Sequence, residues 1–168
     1  HSLLVETIYK NLRLREWIKD QGADRLEWTS AMNDMDWADD RKAFLKLASL
    51  ARYDWGAAWE TESWEVIDRE FSTLKSLSQQ HDFKVVVVAF PAAFQVYAGF
   101  VEDAPQRLLR EKASRLGFYY LDLLPLLRKY RKEEKDIYYD WCHPTVKTND
   151  FIGRILAEFL IEQSFATY

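Results

Sequence analysis

Residues 83–90 read F-K-V-V-V-V-A-F, four consecutive valines closed by Pro91. Two heavy atoms on Cβ stiffen χ1 and favour extended backbone, so the run predicts a strand. It lacks the apolar–polar alternation of a strand with one wet face. The pattern fits burial on both faces, the habit of a parallel sheet covered by helices. Parallel neighbours need a crossover connection, and the next residues supply one. Asp103, Ala104 and Pro105 read as a helix start with Asp103 as N-cap, running to about Leu116. Gly117 suits the left-handed position after a helix, and residues 118–123 read as a second buried strand. The expected unit is strand–helix–strand with a right-handed crossover. Two parallel strands alone leave a long apolar edge open. Further strands are therefore expected beside Val85 to Val88, and the chain reads as part of a larger α/β domain.

The remainder reads mostly as helix. Residues 3–18 carry Leu4, Ile8, Leu12, Trp17 and Ile18 near helical spacing, with Gly22 as the stop. Residues 23–37 are Trp-rich without a clear period and read as a loop or irregular insertion. Residues 38–52 form a second expected helix around Phe44, Leu47, Ala48 and Ala51, followed by a loop with Trp55, Gly56 and Trp59. Residues 62–80 form a third, with Trp64, Ile67, Phe71, Leu74 and Leu77 along one side. A short helical segment occupies residues 125–130. The last helix carries the stripe Phe151, Ile152, Ile155, Leu156, Phe159 and Leu160, with Thr148 or Asn149 as its cap. The expected division is a helical lead-in over residues 1–60 and an α/β part over residues 61–168.

Charge and composition narrow the function. A formal net charge of -4 argues against a nucleic-acid partner, which demands a concentrated basic face. The basic run Arg128, Lys129, Arg131, Lys132 is followed at once by Glu133 and Glu134, and reads as a solvated helix end. No apolar run approaches the roughly 18 residues that span a bilayer. No signal-peptide pattern is visible at His1 to Val5. The single cysteine, Cys142, leaves the compartment undecided between cytoplasm and periplasm. Aromatic residues make up 15% of the chain, a load that asks for a core, a sugar-facing groove or a partner surface. Trp55, Trp59 and Trp64 are read as packing residues, with sugar stacking as the alternative.

The segment Tyr138-Tyr139-Asp140-Trp141-Cys142-His143-Pro144-Thr145 precedes the last helix. In a loop, a carboxylate three residues before a histidine can turn back onto the imidazole. It then fixes the tautomer through one ring nitrogen and steadies the imidazolium when the other accepts a proton. Asp140 and His143 are thus candidates for the orienter and general base of a nucleophilic triad. The competing reading is a helix-capping Asp beside an ordinary loop His. Cys142 next to His143 suggests a thiol nucleophile, but sequence neighbours rarely hold the required mutual geometry, and it reads as a small buried or half-buried thiol. A zinc site needs three or four clustered ligands, and His1 and His81 are remote in sequence, so no metal and no other cofactor is expected. Gln95 follows the C-terminal end of a strand, where such sheets bind ligands, and is a candidate substrate contact; the alternative is a polar residue at a helix start.

With these blocks in place, the chain resembles the C-terminal half of SGNH/GDSL hydrolases. The D-x-x-H-P block before the final helix is similar to that family's last block. Val85 to Pro91 with Phe94-Gln95-Val96 resembles its fourth strand and exit loop, Ala104-Pro105-Gln106-Arg107 its following helix start, and Leu121 to Pro125 its fifth strand. The likeness covers residues 60–163 well and the first 60 loosely. It implies a three-layer flavodoxin-like fold with sheet order 2-1-3-4-5, of which strands 4 and 5 and their helices are present. It implies a serine ester hydrolase acting on a small or carbohydrate-linked acyl ester, His143 as base and Asp140 as its partner. A polysaccharide O-acetyltransferase on the same scaffold, or a non-catalytic binding or assembly module, are the alternatives. The departures are specific. No G-D-S block occurs, so the nucleophile is absent from this chain. Ala31-Met32-Asn33-Asp34 resembles the G-x-N-D block without its glycine, making Asn33 a weak match to the oxyanion donor. Lys147-Thr148-Asn149 stands where the family often has a glycine. The expected partners are the acyl-ester substrate and, along the open sheet edge, an N-terminal half of the same protein or a second copy of the chain.

Overall fold

The computed structural model describes residues 27–165. The expected helix over residues 3–18 and its stop at Gly22 lie outside the described residues. The chain divides into two compact units, residues 1–60 and 61–168.

In the first unit, α1 spans Glu27–Asp34 and α2 spans Arg41–Leu50, followed by a 3-10 turn at Trp55–Trp59. Helix α1 replaces the loop expected there. Eight residues are too few to display a period, and its one buried side chain, Trp28, meets Trp55 edge-on at 5.8 Å between ring centroids. Tertiary aromatic packing thus decides this segment. Asp40 caps α2 by accepting from the Lys42 amide at 2.8 Å. Phe44, Leu47 and Ala48 form its buried face, and Phe44 meets the Trp59 ring at 5.5 Å. The turn lies close against α2. A Cβ on Gly56 would stand 1.9 Å from the Ala48 carbonyl oxygen, so only glycine fits.

The second unit opens with α3, Thr61–Gln80, and continues through β1 (Val86–Ala89), α4 (Ala93–Tyr97), α5 (Ala104–Arg115), β2 (Tyr119–Asp122), α6 (Leu124–Tyr130) and α7 (Val146–Glu162). The two strands are parallel, with Val86 opposite Tyr119 and Ala89 opposite Asp122. Helices α4 and α5 lie between them in sequence, so the molecule is a mixed α/β protein with a parallel crossover unit. Gly117 takes the left-handed conformation (φ 69°) that ends α5 and turns the chain into β2. Asp103 occupies the N-cap position of α5, but its side chain makes no capping hydrogen bond.

Strand β1 is shorter than expected, and Val85 to Val88 are half-buried. The physical reason is the sheet itself: among the described residues it has two strands, so β1 pairs on one edge only. The core of this unit lies under the strand exits, where Val96, Leu121, Leu123, Leu124, Leu127, Ile137 and Ile152 are buried together. Tyr130 of α6 stacks on Phe151 of α7 at 4.1 Å, joining the last two helices. On α3, Asp68 pairs with Lys112 and Arg115 of α5 at 2.6 and 2.8 Å.

Two local expectations are corrected. The final helix starts earlier than Thr148 or Asn149 suggest, because Thr145 is its N-cap and accepts from the Thr148 amide at 3.3 Å. Thr148 is fully buried, with its hydroxyl 3.0 Å from that of Thr145. The basic run is only partly solvated. Arg128 donates to the carbonyls of Gln95 and Phe100, and Arg131 to those of Val96 and Tyr97, so both guanidinium groups cap the end of α4. No helix among the described residues is long and apolar enough to cross a membrane.

Candidate functional site

The loop between α6 and α7 is held at its base and carries its polar residues at its tip. Ile137 is fully buried. Thr145 donates its amide to the Ile137 carbonyl at 3.0 Å, and Tyr139 donates to the His143 carbonyl at 2.8 Å. Tyr138 and Pro144 pair as an antiparallel bridge, which closes the loop. Two further bonds pin it to the segment leaving β1: the Tyr138 hydroxyl donates to the Pro91 carbonyl at 2.7 Å, and the Ala93 amide to the Trp141 carbonyl at 2.9 Å. Burial pushes the Tyr138 phenol up, so it stays a neutral donor. The loop tip therefore stands at the C-terminal exit of β1, the side on which parallel α/β sheets present their ligand sites.

Asp140 organises the tip. One carboxylate oxygen, Oδ1, accepts from the amides of Cys142 at 2.9 Å and His143 at 2.8 Å. The other, Oδ2, stands 2.7 Å from His143 Nδ1. The Cys142 amide, the His143 side chain and the His143 amide hold the Asp140 carboxyl down to about 2. A carboxylate in this state accepts and does not donate, so Nδ1 carries the proton, and in the neutral ring Nε2 then carries the lone pair. The side chains are open, with 72% of His143 and 46% of Asp140 exposed. Exposure means the bond adds little stability and acts to aim the ring.

The other candidates fall elsewhere. Gln95 is turned inward. It is 3% exposed, and its amide is fully engaged. Its Nε2 donates to the Glu102 carbonyl at 3.0 Å and to Gln106 Oε1 at 2.8 Å, while its Oε1 accepts from Gln106 Nε2 at 3.0 Å and the Ala92 amide at 3.3 Å. The expected substrate contact is thus a structural amide pair that ties the segment after β1 to α5. Asn33 is an exposed residue of α1 in the first unit. Trp55 and Trp59 belong to the aromatic cluster of the first unit, edge-on to each other at 5.8 Å.

Cys142 carries more than the sequence suggested. Its Sγ lies 3.4 Å from His143 Nδ1 and 3.9 Å from Nε2. Asp140, Cys142 and His143 each offer one ligand atom, all within 4.8 Å of one another. The absence of further nearby histidines in the sequence hid this cluster, because the third ligand is a thiol between the other two. Tyr138 was likewise missed; only the fold reveals that it anchors the loop.

Comparison with protein-family models, with curated proteins and with solved structures found no match.

Proposed function

We propose that this chain carries the base and orienting acid of an SGNH-type acyl-ester hydrolase, within the C-terminal part of a three-layer flavodoxin-like domain. The observation that carries the reading is the 2.7 Å approach of Asp140 Oδ2 to His143 Nδ1 in a loop pinned to the exit of a parallel strand. Nε2 then takes the proton of a serine hydroxyl as its oxygen attacks the acyl carbon. The same proton passes to the departing alcohol, and a water repeats the sequence to release the acid. The serine comes from outside these 168 residues, as no G-D-S block occurs among them. Backbone amides and an Asn, with Asn33 the weak match in this chain, would hold the oxyanion. The remaining strands, from an N-terminal half or a second copy, would pair along the open edge of β1. The substrate class is a small or carbohydrate-linked acyl ester.

The test uses the longest reading frame containing this segment, assayed with p-nitrophenyl acetate. His143→Ala is expected to lower kcat about 10³-fold, within the usual range for a general base. The 168-residue chain alone is expected to give no turnover. Activity of the long frame that ignores His143→Ala would sink the assignment and favour a non-catalytic assembly module. Activity of the short chain that depends on His143 would put the nucleophile inside it. Acyl transfer to a glycan hydroxyl in place of water would identify the O-acetyltransferase variant of the same chemistry.

A further inference from the structure

We propose that Asp140, Cys142 and His143 form a binding site for a borderline-soft divalent cation of the Zn²⁺ type. The inference does not depend on the acyl-transfer reading. It rests on ligand chemistry and on how the loop is built. A thiolate, an imidazole and a carboxylate are the donors that Zn²⁺ takes, and three protein donors plus water make an open tetrahedral site.

Two of the three separations are close to what such a site needs, and all three ligand atoms lie within 4.8 Å of one another. Bonds of about 2.0 Å to N and O and about 2.3 Å to S, at tetrahedral angles, put N and O about 3.3 Å apart and S and N about 3.5 Å apart. Cys142 Sγ stands 3.4 Å from His143 Nδ1, already at that separation. Asp140 Oδ2 stands 2.7 Å from Nδ1. It needs to withdraw by roughly 0.6 Å to let a cation in. Asp140 Oδ1 is occupied by the Cys142 and His143 amides, which leaves Oδ2 as a single aimed ligand atom. These bonds act as an outer shell that orients the carboxylate. The backbone is fixed on both sides, by the Tyr138–Pro144 bridge and by the Ala93 amide on the Trp141 carbonyl. Exposure of His143 at 72% gives the ion a path from solvent and leaves the fourth position to water.

Binding is a ligand exchange with balanced protons. The Cys142 thiol loses its proton to solvent, and the Nδ1 proton is replaced by one on Nε2. The cation and the Asp140–His143 bond use the same two atoms, so the site holds one or the other. A bound cation therefore takes the imidazole out of service as a base.

The experiment is a titration of the chain with Zn²⁺ against a chromophoric chelator, and with Co²⁺ followed by absorption. One equivalent is expected, with a thiolate-to-Co²⁺ charge-transfer band and tetrahedral d–d bands. Cys142→Ser is expected to abolish the charge-transfer band and weaken binding about 100-fold or more, since even outer-shell losses cost 10–100-fold. His143→Ala and Asp140→Ala are expected to weaken it as well, and His81→Ala to leave it unchanged. Circular dichroism checks that helix content is retained in each variant. An octahedral Co²⁺ spectrum, or affinity that Cys142→Ser does not alter, overturns the proposal. Failure of this titration leaves the esterase assay untouched, and failure of that assay leaves the titration to stand.

Discussion

Two segments lie at the C-terminal side of the sheet region, and they treat polar side chains in opposite ways. The segment from Pro91 to Gln106 buries its polar side chains Gln95, Glu102 and Gln106. Gln95 and Gln106 exchange amide hydrogen bonds at 2.8 and 3.0 Å, and Arg128 seals the carbonyls of Gln95 and Phe100. The loop from Ile137 to Thr145 buries only its base and leaves His143 open to solvent. In the first, the side-chain amides of Gln95 and Gln106 are matched to each other and to backbone groups. The second has an imidazole nitrogen, a thiol and a carboxylate oxygen at a solvent-facing tip. Buried hydrogen bonds of this kind specify a structure, whereas exposed, aimed groups are available for chemistry.

The largest expected effect tests the buried side of that contrast. Gln95→Leu leaves the Gln106 amide and the Glu102 carbonyl buried without their partner. The expected loss is about 2–4 kcal/mol in chemical denaturation, the penalty of orphaned buried polar groups. Gln95→Leu/Gln106→Leu together should recover part of that loss, because removing both partners is cheaper than removing one. A Gln95→Leu variant with unchanged midpoint but altered substrate KM would return Gln95 to the binding surface. Next in size is Arg128→Met, which removes the seal on two carbonyls and is expected to cost about 1–3 kcal/mol. Lys129→Met, at an exposed neighbouring position, should stay within about 0.5 kcal/mol.

The smallest effect sharpens the exposed side. Asp140 is held at about 2 in the folded chain, below the ordinary carboxylate value of about 3.9. A depressed folded value stabilises the loop fully above pH ~4, and that contribution disappears as pH falls toward ~2. The carboxyl carbon resonance of Asp140 should therefore titrate near 2. Protection of the Cys142 and His143 amides from exchange should fall over the same window. A midpoint near 4 would show that the amides of Cys142 and His143 do not grip the carboxylate in solution.

Legibility followed local physics. The valine run gave β1, because β-branched side chains restrict backbone within a few residues. Gly117 gave the end of α5, because a left-handed residue at that point favours glycine on steric grounds alone. Thr145, and not Thr148 or Asn149, caps the final helix, and Thr148 sits three residues into it and is buried. The sequence shows two threonines at S/T-x-x-T spacing; which one caps depends on where Pro144 delivers the chain. Helix α1 was hidden because its one buried residue, Trp28, is committed by a distant aromatic partner and not by a repeating pattern.

The same distinction holds for the site. The chain order alone put Asp140 and His143 three residues apart in a loop, a separation short enough that backbone geometry brings them together. Parallel pairing of the two strands was also suggested, since parallel neighbours need a long crossover connection, usually helical, and residues 91–118 supply one. Tertiary structure alone decided that Gln95 turns inward, that Arg128 and Arg131 cap α4, and that Cys142 joins the Asp–His pair. Each of those depends on which polar groups are stripped of water when elements pack, and on which partners then lie within about 3 Å. Residue order encodes short-range geometry directly, but the pairing of buried polar atoms exists only once the core has closed.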